Sequence, residues 1–132
     1  MPKKFSYSKK EKVKGRKLIE RLFTEGKSFT IFPIKTFYLP LDEKMDSPAR
    51  AGVGAGSKNF PKAVQRNRIK RLLREAYRTE KLPLLEYLYQ HSRQVALFMI
   101  YIDKTMPEYS LIKNKMPFII QRLIRELHEN NS

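Results

Sequence analysis

The sequence contains no cysteine, which excludes disulfide bonds and thiolate metal sites. It also lacks any apolar run near the ~18–20 residues of a membrane-spanning helix, and its N-terminus lacks the apolar core of a signal peptide. We therefore expect a soluble, cytoplasmic protein with no membrane partner. Acidic residues are few, since 13 Asp and Glu stand against 28 Lys and Arg, for a net charge of +15. Such an excess repels itself unless a polyanion is present, which favours a nucleic acid or an anionic membrane surface as partner.

Recognisable catalytic groups are also missing. Neither His91 nor His128 has a nearby carboxylate in the sequence that would suggest a triad, and no serine lies in a nucleophile motif. Asp42, Glu43 and Asp46 are better explained as a charged turn than as metal ligands. We therefore expect no catalytic residue and no metal ligand in this chain, which should contribute binding rather than bond cleavage.

The residues that are present are sufficient for one folded domain. The chain has 132 residues, of which 41% are hydrophobic and fifteen are Phe or Tyr, so it fits one core better than two. Residues 1–13 are expected to form a basic N-terminal arm that is either disordered or ordered by nucleic acid, and residues 14–129 are expected to form a single domain that binds nucleic acid. Hydrophobic spacing and turn signals predict a helix at 17–26, a strand at 28–40, a hairpin turn at 41–48, a strand at 49–56, a helix from Pro61 to about Arg78, a helical stretch at about 80–91, a buried central strand at 94–102 and a closing helix at 108–127.

Two prolines and two other residues mark element boundaries in this reading. Pro33 lacks a backbone donor, so the early part of its strand should lie at an edge or bulge. Gly26 is a plausible end of the first helix, and Asn59 is a candidate N-cap of the basic helix. Pro117 either kinks the closing helix or starts its main part.

The segment KAVQRNRIKRLLREAYR, residues 62–78, carries seven Lys or Arg and a single acid, Glu75. Four of these cations follow one another at four-residue spacing: Arg66, Lys70, Arg74 and Arg78. On a helix each such pair of like charges costs roughly 0.2–0.5 kcal/mol. A partner outside the chain should therefore supply the negative charge.

The same segment is amphipathic. At about 100° per residue the four cations share an arc of about 140° with Asn67 and Arg71. Ile69, Leu72, Leu73, Ala76 and Tyr77 fill a second arc of similar width. The helix should pack its apolar stripe on the core and present a guanidinium-rich stripe that suits bidentate contact with phosphate.

Glycines alternate with small residues just before this helix. Gly52, Gly54 and Gly56 would leave one face of a strand nearly bare, which lets another backbone or a ligand approach closely. The spacing fits neither a Walker loop nor a dinucleotide-binding motif.

At SKNFPKAVQRNRIKRLLREAYR, residues 57–78, the sequence resembles the protein subunit of bacterial ribonuclease P. That family carries Ser-Lys, Ala-Val, Arg-Asn-Arg, Lys-Arg and Arg-Glu in fixed register. The matching residues are Ser57 and Lys58, Ala63 and Val64, Arg66 to Arg68, Lys70 and Arg71, and Arg74 and Glu75. The likeness extends more weakly over roughly residues 14–127. The family's usual lysine and glycine are replaced by Asn59 and Pro61.

The resemblance implies a fold and an activity. The fold is an α+β two-layer sandwich whose four-stranded sheet contains a left-handed βαβ crossover, in the order α-β-β-β-α-β-α, with the third strand short or at 53–58. The function is that of the RNA-binding subunit of ribonuclease P, an endoribonuclease that removes the 5′ leader from precursor tRNA. The catalytic RNA and its Mg²⁺ ions carry the hydrolysis, so the protein alone should be inactive and should bind no cofactor of its own. The partners implied are the catalytic RNA and precursor tRNA, with no obligate protein partner.

The resemblance also implies two binding surfaces. A cleft between the first helix and the sheet would hold the single-stranded leader, and its residues here are Ile19, Phe23, Lys35 and Phe37. Ile19 stands where the family often has an aromatic residue. The residues expected to bind the RNA subunit are Ser57, Lys58, Lys62, Arg66, Asn67, Arg68, Lys70, Arg71 and Arg74.

Three alternatives remain at this stage. A ribosomal or other structural RNA-binding protein would use the same basic helix as a static clamp but would need no leader cleft. A helix-turn-helix DNA regulator is disfavoured by the three strands predicted from the residues. A self-sufficient metal nuclease is disfavoured by the lack of clustered carboxylates.

Overall fold

The computed structural model describes residues 16–42 and 47–129. The basic arm predicted at 1–13 and the acidic residues Glu43 and Asp46 lie outside the described residues. The elements are, in chain order, α1 (Arg16–Glu25), β1 (Lys27–Ile31), β2 (Ile34–Leu41), β3 (Ala49–Ala55), α2 (Ala63–Glu80), α3 (Leu82–Gln90), β4 (Gln94–Tyr101) and α4 (Tyr109–Glu129).

The strands form one four-stranded sheet in the order β1-β2-β4-β3. β1 pairs with β2 and β2 pairs with β4 in antiparallel fashion, whereas β3 and β4 are parallel. The predicted central strand at 94–102 is confirmed, because β4 has a neighbour on each side. Parallel neighbours need a long crossover, and here α2 and α3 supply it between β3 and β4. The predicted βαβ unit is therefore present, and the left-handed sense of its crossover stays a prediction.

The strand predicted at 28–40 is wrong as a single element. The chain turns at Phe32 and Pro33, so that Ile31 pairs with Ile34 and two strands form a tight hairpin. Pro33 has no N–H for a ladder hydrogen bond, and its carbonyl accepts instead from the Ile102 amide at 2.9 Å. The edge position expected for the early part is confirmed, since β1 is an outer strand.

Two further predictions about strands are corrected. The segment 41–48 does not close a hairpin, because β4 lies between β2 and β3. The third strand is Ala49–Ala55 and not 53–58, and residues 57–59 form a turn instead. Both errors concern pairing between distant parts of the chain, which local turn residues do not determine.

Helices lie on both faces of the sheet. Neighbouring residues of a strand point to opposite faces, and in β4 Val95 and Leu97 join the large core cluster under α2, α3 and α4. Ala96 instead packs with Leu22 of α1 and Leu41 in a smaller cluster. The helical layer of α2 to α4 therefore covers one face, and α1 covers part of the other.

Gly26 follows the end of the first helix, and Pro117 lies inside the last helix. α1 ends at Glu25, and a side chain on Gly26 would collide with the carbonyl oxygens of Leu22 and Tyr38. Gly26 is thus confirmed as the stop of α1, because a residue with a Cβ would not fit there. α4 runs unbroken from Tyr109 to Glu129 with Pro117 inside it.

A partly buried carboxylate network fastens α4 to the sheet. The Tyr38 hydroxyl donates to Glu126 Oε1 at 2.8 Å, and Arg122 Nε donates to Glu126 Oε2 at 3.0 Å. The hydrogen bond from Tyr38, followed by that from Arg122, holds the pKa of the Glu126 carboxyl below its ordinary value of 4.5. Ionised Glu126 therefore stabilises the folded chain relative to the unfolded chain.

This network predicts a pH dependence of folding. Because the pKa of Glu126 is lower in the folded chain, its contribution is fully present above pH 4.5 and is lost as the pH falls through the folded value. Glu126→Gln should therefore reduce the acid-induced loss of unfolding free energy, measured by denaturant titration at neutral pH and below pH 4.5. The matched control is Glu129→Gln, an exposed position on the same helix. Equal acid dependence in wild type and Glu126→Gln would contradict the prediction.

Candidate RNA-binding site

The α2 helix presents its cations outward and its apolar residues to the core. Ile69 and Leu73 are fully buried, and Leu72, predicted with them, is half-buried at the edge of the core. The predicted rotation of this helix is confirmed. We name the polar side the basic stripe. Its exposed members are Lys62, Asn67, Arg68, Arg71 and Arg74, and its half-buried members are Arg66 and Lys70.

Most of the charge on the basic stripe has no partner within the described part of the chain. The acid Glu75 is held by Arg78, whose Nη2 lies 2.6 Å from Glu75 Oε1, and this hydrogen bond lowers the pKa of the Glu75 carboxyl. Arg78, the last cation of the four-residue series, is therefore paired. No described acid pairs with Arg68, Arg71 or Arg74. These guanidinium groups are free to contact phosphates, which are the natural ligands of their planar donor set.

Arg66 differs from the other members of the stripe. Its Nη1 donates to the carbonyl oxygens of Phe60 at 2.9 Å and Pro61 at 2.8 Å. These bonds tie the segment before α2 to the second turn of the helix. Arg66 therefore shapes the entry to α2, and its contact with RNA stays a prediction.

The cap predicted for α2 is wrong. The N-cap residue is Lys62, with no side-chain cap, and Asn59 lies too early to reach the helix. The side-chain Nδ2 of Asn59 donates instead to the carbonyl oxygen of Ile102 at 3.5 Å. Phe60, Pro61 and Lys62 separate Asn59 from the first turn of α2. The carbonyl oxygens of Phe60 and Pro61 accept hydrogen bonds from Arg66 instead.

The two remaining predicted RNA-binding residues precede the stripe. Ser57 and Lys58 lie exposed in the turn 57–59, which a hydrogen bond from the Phe60 amide to the Gly56 carbonyl closes at 3.0 Å. The turn leads directly into the N-terminus of α2. The predicted residues therefore follow one another along the chain from Ser57 to Arg74.

A second candidate surface lies on the face of the sheet that carries α1. The Phe23 ring is 43% exposed although it touches two other rings edge-on. Its centroid lies 4.8 Å from that of Phe37 and 5.5 Å from that of Phe98. Lys35 Nζ lies 5.0 Å from the centre of the Phe37 ring. We name Phe23, Phe37 and Phe98 the aromatic cluster. It contains two of the four residues predicted for the leader cleft, together with Phe98, which was not predicted, and a third predicted residue, Lys35, lies beside it.

The fourth predicted cleft residue, Ile19, lies one helical turn before Phe23 and is half-buried. The unpredicted residue, Phe98, is directly opposite Phe37 in the β2–β4 register. The sequence shows only that Phe98 lies in an apolar strand. Such a run does not show which face of the sheet a side chain will occupy or which residue of the neighbouring strand it will lie opposite.

The glycines of β3 lie beside the aromatic cluster. Gly52 is the register partner of Phe98, and a Cβ at Gly54 would lie 3.0 Å from the Phe98 ring. The close approach at Gly54 is therefore made by the Phe98 side chain, and not by another backbone or a ligand as predicted. Around Gly56 nothing lies within 4 Å of such a Cβ, so its lack of a side chain is not required by packing.

Comparison with known proteins places the chain in a family. The family model described as Ribonuclease P matches residues 7–123. The ribonuclease P protein component of Porphyromonas gingivalis is 31% identical over 115 residues, which cover 87% of this chain and 84% of that protein. This chain belongs to the ribonuclease P protein family. The Chlorobium phaeobacteroides ribonuclease P protein component is 36% identical over 129 residues and covers 89% of this chain and 88% of its own.

Solved structures of the ribonuclease P family share the fold. The Staphylococcus aureus RNase P protein superposes with a TM-score of 0.67 at 19% identity, over 86% of this chain and 94% of that one. The predicted α+β fold and the family assignment are thereby confirmed, and the chain is a protein component of the ribonuclease P endoribonuclease. The comparisons give no support to the alternative of a ribosomal or other structural RNA-binding protein. None of the helices within residues 16–42 and 47–129 has the length and apolarity needed to cross a membrane.

Proposed function

We propose that this chain binds the catalytic RNA of ribonuclease P through the basic stripe and holds the 5′ leader of precursor tRNA on the aromatic cluster. The observation that carries the proposal is the separation of two chemically different surfaces. The stripe lies on α2, which packs against one face of the sheet, and the cluster lies on the other face. One molecule can therefore contact a folded RNA and a single strand at the same time.

The basic stripe is suited to the phosphate backbone of a folded RNA. Its free guanidinium groups, at Arg68, Arg71 and Arg74, are exposed along more than one turn of a rigid helix. Contacts of this kind fix position and orientation without reading base sequence. They also release counterions, so affinity falls steeply as salt concentration rises.

The aromatic cluster is suited to unpaired nucleotides. Bases stack on aromatic rings regardless of sequence, and a neighbouring cation holds the backbone. The partly exposed Phe23 ring offers the stacking surface, and Lys35 beside Phe37 offers the cation. At Gly52 and Gly54, β3 adds no side chain of its own that would cover the cluster. This arrangement fits a leader whose sequence varies between precursor tRNAs.

The proposal assigns hydrolysis to Mg²⁺ ions held by the RNA subunit. Within the described residues, no group of three or more histidine, aspartate or glutamate side chains is placed to hold a metal ion. The net charge of +15 reduces phosphate repulsion between the catalytic RNA and the substrate. The protein should therefore lower the Mg²⁺ concentration that cleavage requires. Localisation to the cytoplasm is part of the same proposal, because both RNA partners are intracellular.

Reconstitution tests this function. Purified protein, freed of RNA, should leave precursor tRNA intact, and the catalytic RNA alone should cleave it only at high Mg²⁺. Together they should cleave at the mature 5′ end at low Mg²⁺, mainly because substrate binds more tightly. Cleavage at that site by RNA-free protein would overturn the assignment of chemistry. Tight RNA binding without any effect on cleavage would instead favour a structural RNA-binding protein.

A further inference from the structure

A groove between α4, α3 and β1 lies outside both surfaces described so far. It has a volume of about 640 Å³, which is within the range of about 300–1,000 Å³ typical of sites for small organic groups. Most of its lining comes from one side of α4. We name it the α4 groove, and its principal lining residues are Ile31, Tyr87, Phe118, Arg122, Arg125 and His128.

The α4 groove carries an aromatic ring that the fold does not bury. Phe118 is 66% exposed, in a helix whose neighbouring residues Ile119 and Ile120 are fully packed in the core. A single exposed apolar side chain is ordinary on a protein surface. Here, however, the ring lines a concave surface together with cationic side chains, and that combination points to a ligand with a flat apolar part and negative charge.

The charge of the groove is positive and partly fixed in place. Arg122 is held by its bond to Glu126 and lies over the Phe29 ring, 5.2 Å from its centre. Glu126 is already engaged by Arg122 and Tyr38, so its charge is taken up inside the protein. Arg125 and His128 are exposed on the same side of α4, and no acid is among the lining residues.

We propose that the α4 groove binds unpaired nucleotides of RNA, with one base stacked on Phe118 and a flanking phosphate contacted by Arg125. A positive groove with an aromatic platform is the arrangement that single-stranded nucleic acid requires. A peptide partner would leave the cations of this groove without a matching charge unless it were acidic, whereas RNA supplies one phosphate with each base. The inference rests on the proposed function to the extent that this chain acts on RNA.

The α4 groove is separate from the leader site. α4 packs on the face of the sheet that carries Tyr38, and the aromatic cluster lies on the opposite face, which carries Phe37. A strand in the groove is therefore a different segment from the one on the cluster. We assign it to an unpaired region of the RNA subunit, because α4 belongs to the same helical layer as α2, which carries the basic stripe.

Photo-cross-linking to the full-length protein tests the α4 groove directly. The probe is a short oligouridylate containing 4-thiouridine, and cross-linked peptides are located by mass spectrometry. Cross-links in the 118–128 segment are expected, and Phe118→Ala should reduce them by roughly 5- to 150-fold at limiting probe, the effect of losing one stacked base. The matched control is Leu111→Ala, which truncates a 38% exposed side chain on the same helix outside the groove and should leave them unchanged.

Two further variants distinguish charge from shape. Arg125→Gln should weaken cross-linking at low salt and flatten its salt dependence, whereas Arg125→Lys should restore most of both. Melting curves of each variant should match the wild type, since both positions are exposed. Cross-links found only near Phe23, Phe37 and the basic stripe, or equal yields from Phe118→Ala and wild type, would overturn the inference. Low-Mg²⁺ cleavage by the reconstituted enzyme would still stand in that case, so the two failures are distinguishable.

Discussion

Replacing Ile69 by alanine should lower the free energy of unfolding by about 2–5 kcal/mol, the usual cost of truncating a large core side chain. Ile69 is fully buried, in the middle of the contact between α2 and the core. Arg71→Ala, two residues further along, should leave the free energy of unfolding within about 0.5 kcal/mol, since the position is exposed. For RNA binding the order should be reversed, so that Arg71→Ala weakens binding more than Ile69→Ala does. Arg71→Ala should flatten the log–log salt dependence of affinity by about 0.7–0.9, for one lost phosphate contact.

Arg66 offers a third substitution for this comparison, because it belongs to the basic stripe and also donates hydrogen bonds to the backbone. Arg66→Ala removes two hydrogen bonds to carbonyl oxygens and should cost about 1–3 kcal/mol of unfolding free energy, at about 0.5–1.5 kcal/mol for each bond. Denaturant titrations give the stabilities, and binding of the catalytic RNA at several salt concentrations gives the slopes. If Arg71→Ala unfolded the protein and Ile69→Ala did not, the rotation of α2 described above would be wrong.

The rotation of α2 was predictable because it depends only on neighbours along the chain. A helix repeats every 3.6 residues, so the series from Arg66 to Arg78 and the apolar set around Ile69 fall on opposite sides whatever the rest of the fold does. The end of α1 at Gly26 is largely of the same kind, since the nearest atom to a Cβ there is the carbonyl oxygen of Leu22, four residues earlier in the same helix. The basic stripe could therefore be read from the sequence almost completely.

The second surface could be read only in part, because it depends on register between strands. Phe37 and Phe98 are 61 residues apart in the sequence and become direct partners only through the β2–β4 pairing. The same limit explains the errors at 28–40 and 41–48, where one strand is two and the connection is not a hairpin. Arg66 illustrates a different limit. Its residue type and helical position predict a phosphate contact, whereas its donors satisfy carbonyl oxygens that no sequence pattern marks.

Replacing Phe37 by alanine should weaken binding of leader-bearing precursor tRNA to the reconstituted enzyme by about 1–3 kcal/mol, the value of one base stacked on an aromatic ring. The Phe37 ring supports the exposed Phe23 ring edge-on at 4.8 Å and lies beside Lys35. Its loss removes one ring of the platform and lets the other move. Binding of mature tRNA, which has no leader, should hardly change. Equilibrium binding of the two RNAs under identical ionic conditions measures the difference.

Two matched variants separate stacking from packing at Phe37. Phe37→Tyr keeps the ring and should bind both RNAs as the wild type does. Phe37→Leu fills similar apolar space without a ring, so it should preserve most of the stability but still lose affinity for the leader-bearing RNA. If Phe37→Leu bound precursor tRNA normally, or if all losses followed the unfolding free energy and affected mature tRNA equally, Phe37 would belong to the core. The leader would then have to bind elsewhere on the chain, and the aromatic cluster would have no ligand assigned to it.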